Sequence, residues 1–134
     1  MQQDPEDIVE GVQACMAATM EAAHGELGVR AGDVAGVGIT NQRETTVAWD
    51  AETGRSLCPA IVWLDTRTQA TVDQVVETHL GGDADALRSR TGLPASTYFS
   101  CSKMRWMLDN VAEVADAAAR GTLRFGTIDS WVCV

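Results

Sequence analysis

Positions Ile8, Val12, Cys15, Met16, Thr19, Ala23 and Leu27 recur at three- and four-residue spacing. That spacing places them on one face of a helix and predicts a single buried stripe. The start is well marked. Asp4 can cap the free amides, Pro5 suits the first helical position, and Glu6 and Asp7 put negative charge where the helix dipole favours it. Gly25 and Gly28 predict an end near His24 to Leu27.

The pattern then changes period. Residues 34–40, with Gly36 and Gly38 thinning both faces, predict a strand that allows close backbone approach. Residues 45–50 predict a second strand, 50–54 a turn, and 58–63 a third extended run. Their closeness along the chain makes antiparallel, hairpin-like pairing the expected topology.

The second half is helical in pattern. Asp65 or Thr66 can open a helix whose Val72, Val75, Val76 and His79 share a face, ending at Gly81-Gly82. A shorter helix is expected from Asp83 to Leu87, stopping near Gly92-Leu93-Pro94. Ser100 is expected to cap a third, with Met104, Met107, Leu108 and Val111 at i, i+3, i+4 and i+7. A further helical piece spans 110–120, and 123–127 read as a short strand or extended link. The chain closes on the apolar run Trp131 to Val134.

Composition narrows the function classes. The 134 residues are 46% hydrophobic and 22% charged, a globular balance. The net charge of -9 argues against a nucleic-acid backbone or an anionic membrane as main partner, since either needs a basic patch. The acidic start lacks a basic and an apolar signal region, and no stretch approaches the roughly twenty apolar residues of a membrane span. A cytoplasmic location is the expectation. Cys15, Cys58, Cys101 and Cys133 form no CxxC and have no adjacent histidine, so buried free thiols are expected rather than a metal site.

Two polar clusters stand out. Asn41-Gln42-Arg43-Glu44-Thr45-Thr46 lies between apolar runs and offers more side-chain hydrogen bonds than a tight turn needs. Arg43 can donate and Glu44 accept, a pairing suited to a polyhydroxy ligand; a solvated turn is the other reading. Trp63-Leu64-Asp65-Thr66-Arg67 falls at a strand-to-helix junction, where ligand sites often form. There Trp63 can wall a ligand or fill core, and Asp65 and Arg67 can face solvent or ligand. Tyr98, the single tyrosine, can reach a substrate or anchor a loop. No HExxH, GxSxG or GxxxxGK[ST] motif is present, and the glycines at 36 and 38 lack the nucleotide fingerprint.

The run Gly38-Ile39-Thr40-Asn41-Gln42-Arg43-Glu44-Thr45-Thr46, followed by Ala60-Ile61-Val62-Trp63-Leu64-Asp65-Thr66-Arg67-Thr68, resembles the glycerol kinases of the FGGY carbohydrate kinase family. Thr91-Gly92-Leu93-Pro94, Ser96-Thr97-Tyr98-Phe99-Ser100 and Phe125-Gly126-Thr127-Ile128-Asp129-Ser130-Trp131 extend the resemblance in order along nearly the whole chain. It implies an α/β fold: a partial actin-like (ribonuclease H-like) domain, a mixed sheet with flanking helices. Residues 1–134 would be part of the N-terminal domain of such a kinase. The implied activity of the parent protein is ATP-dependent phosphorylation of glycerol to glycerol 3-phosphate. Arg43, Glu44, Trp63 and Tyr98 match the family's glycerol contacts.

The resemblance also implies a phosphate-loop hairpin ahead of this segment, a catalytic aspartate beyond residue 134, and a C-terminal ATP-binding domain. ATP and Mg2+ are then cofactors of the parent, with no catalytic, nucleotide-binding or metal-binding residue expected here. The implied partners are glycerol and the remainder of the kinase, and a homo-oligomer is compatible. The alternative is a non-catalytic fragment acting as a weak polyol-binding or structural interaction module.

Overall fold

The computed structural model describes residues 1–134. In chain order the elements are β1 (Gln2–Gln3), α1 (Pro5–Leu27), a 3-10 turn (Ala31–Asp33), β2 (Val47–Asp50), β3 (Ala60–Ile61), α2 (Gln69–His79), α3 (Arg88–Thr91), α4 (Ser100–Asn110), α5 (Ala112–Arg120), β4 (Leu123–Gly126) and α6 (Ile128–Trp131). No helix is long and apolar enough to cross a membrane.

Strand β2 is the centre. Thr45 through Asp50 are all buried, a continuous run that marks a strand covered on both faces. On one face Val47 and Trp49 pack with Ala60, Ile128 and Trp131, and Ile8 and Val9 of α1 close that layer. On the other, Ala48 and Ile61 pack with Met107 of α4 and Val114 of α5. Trp49 and Trp131 meet with ring centroids 5.8 Å apart, and the Trp131 indole donates to the Pro5 carbonyl at 2.7 Å. A Cβ on Gly126 would lie 2.8 Å from the Ser130 Cβ and 2.9 Å from the Trp49 ring. Only glycine allows this approach.

Pairing is antiparallel throughout, as expected, but the neighbours are more distant in sequence than a hairpin would give. β2 pairs with β4, Val47 opposite Gly126 and Asp50 opposite Leu123. β3 pairs with β1, Gln2 opposite Ile61. The hairpin survives only as single bridges, Thr46 to Ile61 and Trp49 to Ser56.

Several expectations need correction. The stripe on α1 is not buried. Only the first turn of that helix reaches the core, and Met16 remains 52% and Leu27 76% exposed. Residues 34–40 form no strand. The amides of residues 35–44 donate no backbone hydrogen bond, and nothing lies within 4 Å of a Cβ built on Gly36 or Gly38. A strand needs a ladder partner, and none is adjacent. Helix α2 starts at Gln69 with Thr68 as its cap residue, while Asp65 and Thr66 lie in the preceding turns. The short helix, Arg88–Thr91, stops at Gly92 as expected but starts later than the 83–87 stretch, which forms turns. The cysteines are free thiols, but Cys15, Cys101 and Cys133 are exposed. The capping of α1 is as predicted: Asp4 accepts from the Glu6 amide at 3.0 Å, and Gly28 ends the helix at φ 72°.

Asp50 closes the far end of β2. Its Oδ1 accepts from the Glu52 and Thr53 amides at 2.8 and 3.2 Å, and its Oδ2 from the Thr122 hydroxyl at 2.7 Å and Arg120 Nη2 at 2.9 Å. These bonds, the Thr122 hydroxyl foremost, hold its pKa at about 2, below the usual 3.8. A depressed carboxylate contributes stability that is complete above its ordinary pKa and is lost as pH falls through the folded value. In acid titration followed by circular dichroism, Asp50→Asn should be less stable than wild type at neutral pH. The two should converge as pH falls toward about 2. A gap that stays constant would detach Asp50 from the turn.

The exposed side chains of α1 and of residues 34–39 yield a second expectation. Val12, Met16, Leu27, Val34, Val37 and Ile39 together present apolar surface to water, which favours association. The chain should self-associate and unfold with poor cooperativity. Size-exclusion chromatography with light scattering, then denaturant unfolding, checks both; a monomer with a sharp two-state transition would contradict them.

Candidate functional site

The site grows from the turn that leads into β2. Asn41 anchors its front edge, donating to the Thr127 hydroxyl at 2.9 Å and accepting from the Asp129 amide at 3.2 Å. Gln42 donates to Thr45 Oγ1 at 2.7 Å and to Gln3 at 2.9 Å. The buried Thr45 hydroxyl also accepts from the Trp63 amide at 3.2 Å. Thr45 thereby ties the segment carrying Arg43 and Glu44 to the segment carrying Trp63. The Thr46 hydroxyl donates to the Glu44 carbonyl at 3.3 Å.

Four of the six polar residues of this cluster are thus committed internally. The remaining two are Arg43 and Glu44. The Arg43 side chain is exposed and makes no hydrogen bond or ion pair within the chain. Glu44 has φ 64°, a left-handed conformation that costs a non-glycine residue on the order of 1–3 kcal/mol. What holds it is its carboxylate. Oε2 accepts from the Ser100 amide at 2.7 Å and from the Ser100 hydroxyl at 2.8 Å. A carboxylate from a distant turn therefore satisfies the first turn of α4, where free amides and the helix dipole both favour an anion. This corrects the expected cap: Phe99 is the N-cap residue and Ser100 the first helical one. The second oxygen of Glu44 carries no bond inside the chain.

The aromatic residues lie next to the Glu44 to Ser100 contact in the chain. Tyr98 stands two residues before Ser100 and its amide donates to Ser96 Oγ at 3.2 Å. The Trp63 and Tyr98 rings meet edge-on with centroids 6.0 Å apart, and Tyr98 meets Phe99 at 5.1 Å. Trp63 is 42% and Tyr98 37% exposed, so neither is spent filling core. Glu44, Trp63 and Tyr98 are brought together by direct and one-residue links, with Arg43 beside Glu44 in the chain.

The second polar cluster divides. Trp63 faces outward, but Asp65 is buried and fully engaged. It pairs with the Met1 ammonium and accepts from Arg67 Nε and Nη2 at 2.9 Å each. The Arg67 guanidinium lies 5.2 Å from the Trp106 ring centroid. This pair is a clamp between the start of the chain and the α2 approach, with both oxygens of Asp65 engaged.

Sequence reasoning missed Lys103. Its side chain is fully buried in the first turn of α4, and its ammonium donates to the Tyr98 carbonyl directly behind the aromatic pair. A signal was present: it is the single lysine of the chain, placed where a helix start disfavours a cation.

No three of His, Cys, Asp and Glu gather as a group able to hold a metal ion. The glycines at 36 and 38 line no cradle. The residues here do not fit ATP or Mg2+, and none is assigned to them.

Residues 1–134 match the N-terminal domain of the FGGY family of carbohydrate kinases. A "Probable glycerol kinase" of Caenorhabditis elegans is 42% identical over 132 residues, covering 98% of this chain and 26% of that protein. A glycerol kinase of Rhizorhabdus wittichii is 47% identical over 133 residues, covering 98% and 25%. Among solved structures, Plasmodium falciparum glycerol kinase with ADP superposes with a TM-score of 0.71 at 28% identity, over 98% of this chain and 25% of that one. A xyloylose kinase from Brucella ovis gives 0.68, also at 28% identity. The chain spans about a quarter of the length of these relatives. Helices flanking small sheets, with the same architecture in these kinases, make this an α/β chain of the actin-like (ribonuclease H-like) kind. Sequence and architecture agree, and the chain belongs to the FGGY family of carbohydrate kinases.

Proposed function

We propose that this chain supplies the polyol-contacting surface of a kinase that transfers a phosphoryl group from ATP to a terminal hydroxyl of glycerol, giving glycerol 3-phosphate and ADP. The observation that carries the reading is the uncommitted pair at the β2 turn. In a cluster whose other polar groups are bonded internally, the Arg43 guanidinium and one Glu44 oxygen are left over, beside two half-exposed aromatic rings. The names of the relatives supply the substrate class.

In this reading each residue has a distinct part. Arg43 donates to glycerol hydroxyl oxygens, and Glu44 Oε1 accepts a hydroxyl proton in a hydrogen bond strengthened by its charge. Trp63 covers the carbon backbone, and the Tyr98 hydroxyl meets a polar end of the ligand. All four bind and orient; none is assigned as the base. Holding a hydroxyl in line for attack is itself a large part of phosphoryl-transfer catalysis. ATP, with Mg2+, supplies the phosphoryl group from the remainder of such a kinase, and residues 1–134 form part of its N-terminal domain.

The test is glycerol binding to the purified chain, read by tryptophan fluorescence and by amide shifts, the Trp63 amide among them, in NMR titration. Arg43→Ala should weaken the response by at least about tenfold, the scale of a lost charge-assisted bond, with the far-UV spectrum unchanged. An unaltered response would return Arg43 to a solvated turn.

A second reading, a non-catalytic interaction module, draws on the apolar side chains exposed on α1. Turnover separates the two only in one direction. The purified chain with glycerol and ATP is expected to release no ADP above background, since no residue here is assigned to the nucleotide. Glycerol-dependent ADP release that tracks the chain through purification would give it a nucleotide site after all.

A further inference from the structure

Lys103 breaks two ordinary rules. Lysine is almost never fully buried unless paired, yet this side chain is 0% exposed. A cation in the first turn of a helix also faces the positive end of the helix dipole, and Lys103 is the fourth residue of α4. Local conflicts of this kind are retained where something else depends on them.

Its surroundings show what depends on it. The ammonium donates to the Tyr98 carbonyl and lies 6.0 Å from the Tyr98 ring centroid. The charged group facing it is Glu44, which acts through space without a direct ion pair; the Cys101 thiol is the other titratable neighbour. Burial lowers the lysine pKa and Glu44 opposes that shift. The buried bond between Thr68 and Ser102, 3.1 Å, and the Ser102 bond to the Phe99 carbonyl, 3.0 Å, fix the neighbouring turn. One ammonium therefore stands behind Tyr98, one of the four proposed ligand contacts.

We propose that Lys103 is a positioning residue of the polyol site, its buried ammonium holding the Tyr98 backbone at the rim. The proposal rests on the polyol-binding reading above. Lys103 does not touch the ligand. It keeps the tyrosine where its hydroxyl can meet one.

The test uses the whole chain with glycerol as the probe, comparing wild type, Arg43→Ala, Lys103→Met and Lys103→Arg, each first checked by circular dichroism. Lys103→Met keeps most of the stem but removes the charge, and should weaken the glycerol response by about tenfold or more. Lys103→Arg restores the charge and should return it to within about threefold of wild type. As the single lysine, Lys103 also gives a single side-chain 15Nζ resonance in lysine-labelled protein. That resonance should shift on glycerol addition to wild type and stay fixed in Arg43→Ala.

Failure can be located. A wild type without glycerol response, or an Arg43→Ala variant that responds normally, removes the polyol site and this inference with it. A folded Lys103→Met variant with wild-type response overturns the inference alone. So does loss of response in both lysine variants, which would make the side chain a packing element. Should Lys103→Met not fold, the wild-type 15Nζ signal decides: no shift with a saturating glycerol response in the amide titration also overturns it.

Discussion

Covering β2 on both faces obliges every polar group along it to find a partner inside the protein. The backbone does so through the β4 ladder on one side and single bridges to residues 56 and 61 on the other. The side chains at its two ends have no such ladder. At one end Asp50 gathers two amides, a hydroxyl and a guanidinium. At the other, the Thr45 hydroxyl joins Gln42 to Trp63, and the preceding Glu44 reaches across to α4. The proposed polyol site is thus an outgrowth of the same requirement that builds the core.

What could be read in the sequence follows from which interactions are local. The α1 cap and its glycine stop depend on neighbours within a turn or two, and the structure has them. The resemblance singled out Arg43, Glu44, Trp63 and Tyr98, yet no local rule showed that Glu44 would cap a helix 56 residues away. Periodicity was misleading where it met nothing to pack against. The stripe on α1 has helical spacing, but spacing states which residues share a face and not whether that face is covered. Residues 34–40 likewise have a strand-like pattern without a ladder. Asp65 looked free because its partners, Met1 and Arg67, come together only in the fold.

The electrostatics of the site differ from those of the whole chain. Against a net charge of -9, the β2 turn and the start of α4 hold two cations, Arg43 and Lys103, to one carboxylate, Glu44. A neutral polyol, the proposed ligand, needs donors and acceptors more than it needs field, and this corner has an acceptor held in place at Glu44 and an exposed donor at Arg43. The clamp formed by Asp65 and Arg67 lies close by but is closed on itself, so charge alone does not mark the site. Uncommitted hydrogen-bonding capacity does.

The Trp131 to Pro5 bond joins residues 126 positions apart, and β2 meets a partner strand more than seventy positions away. Contacts this remote order most of the intervening chain before they return any binding energy, and such topologies fold slowly. During synthesis, the first helix and β2 emerge long before the strand and tryptophan that close over them. Until then Val47, Trp49 and the start of α1 at Ile8 and Val9 stand open together. A nascent chain of this design spends its life on the ribosome with its stickiest surfaces unprotected, and its yield in a cell should respond to chaperone supply more than its finished stability would suggest.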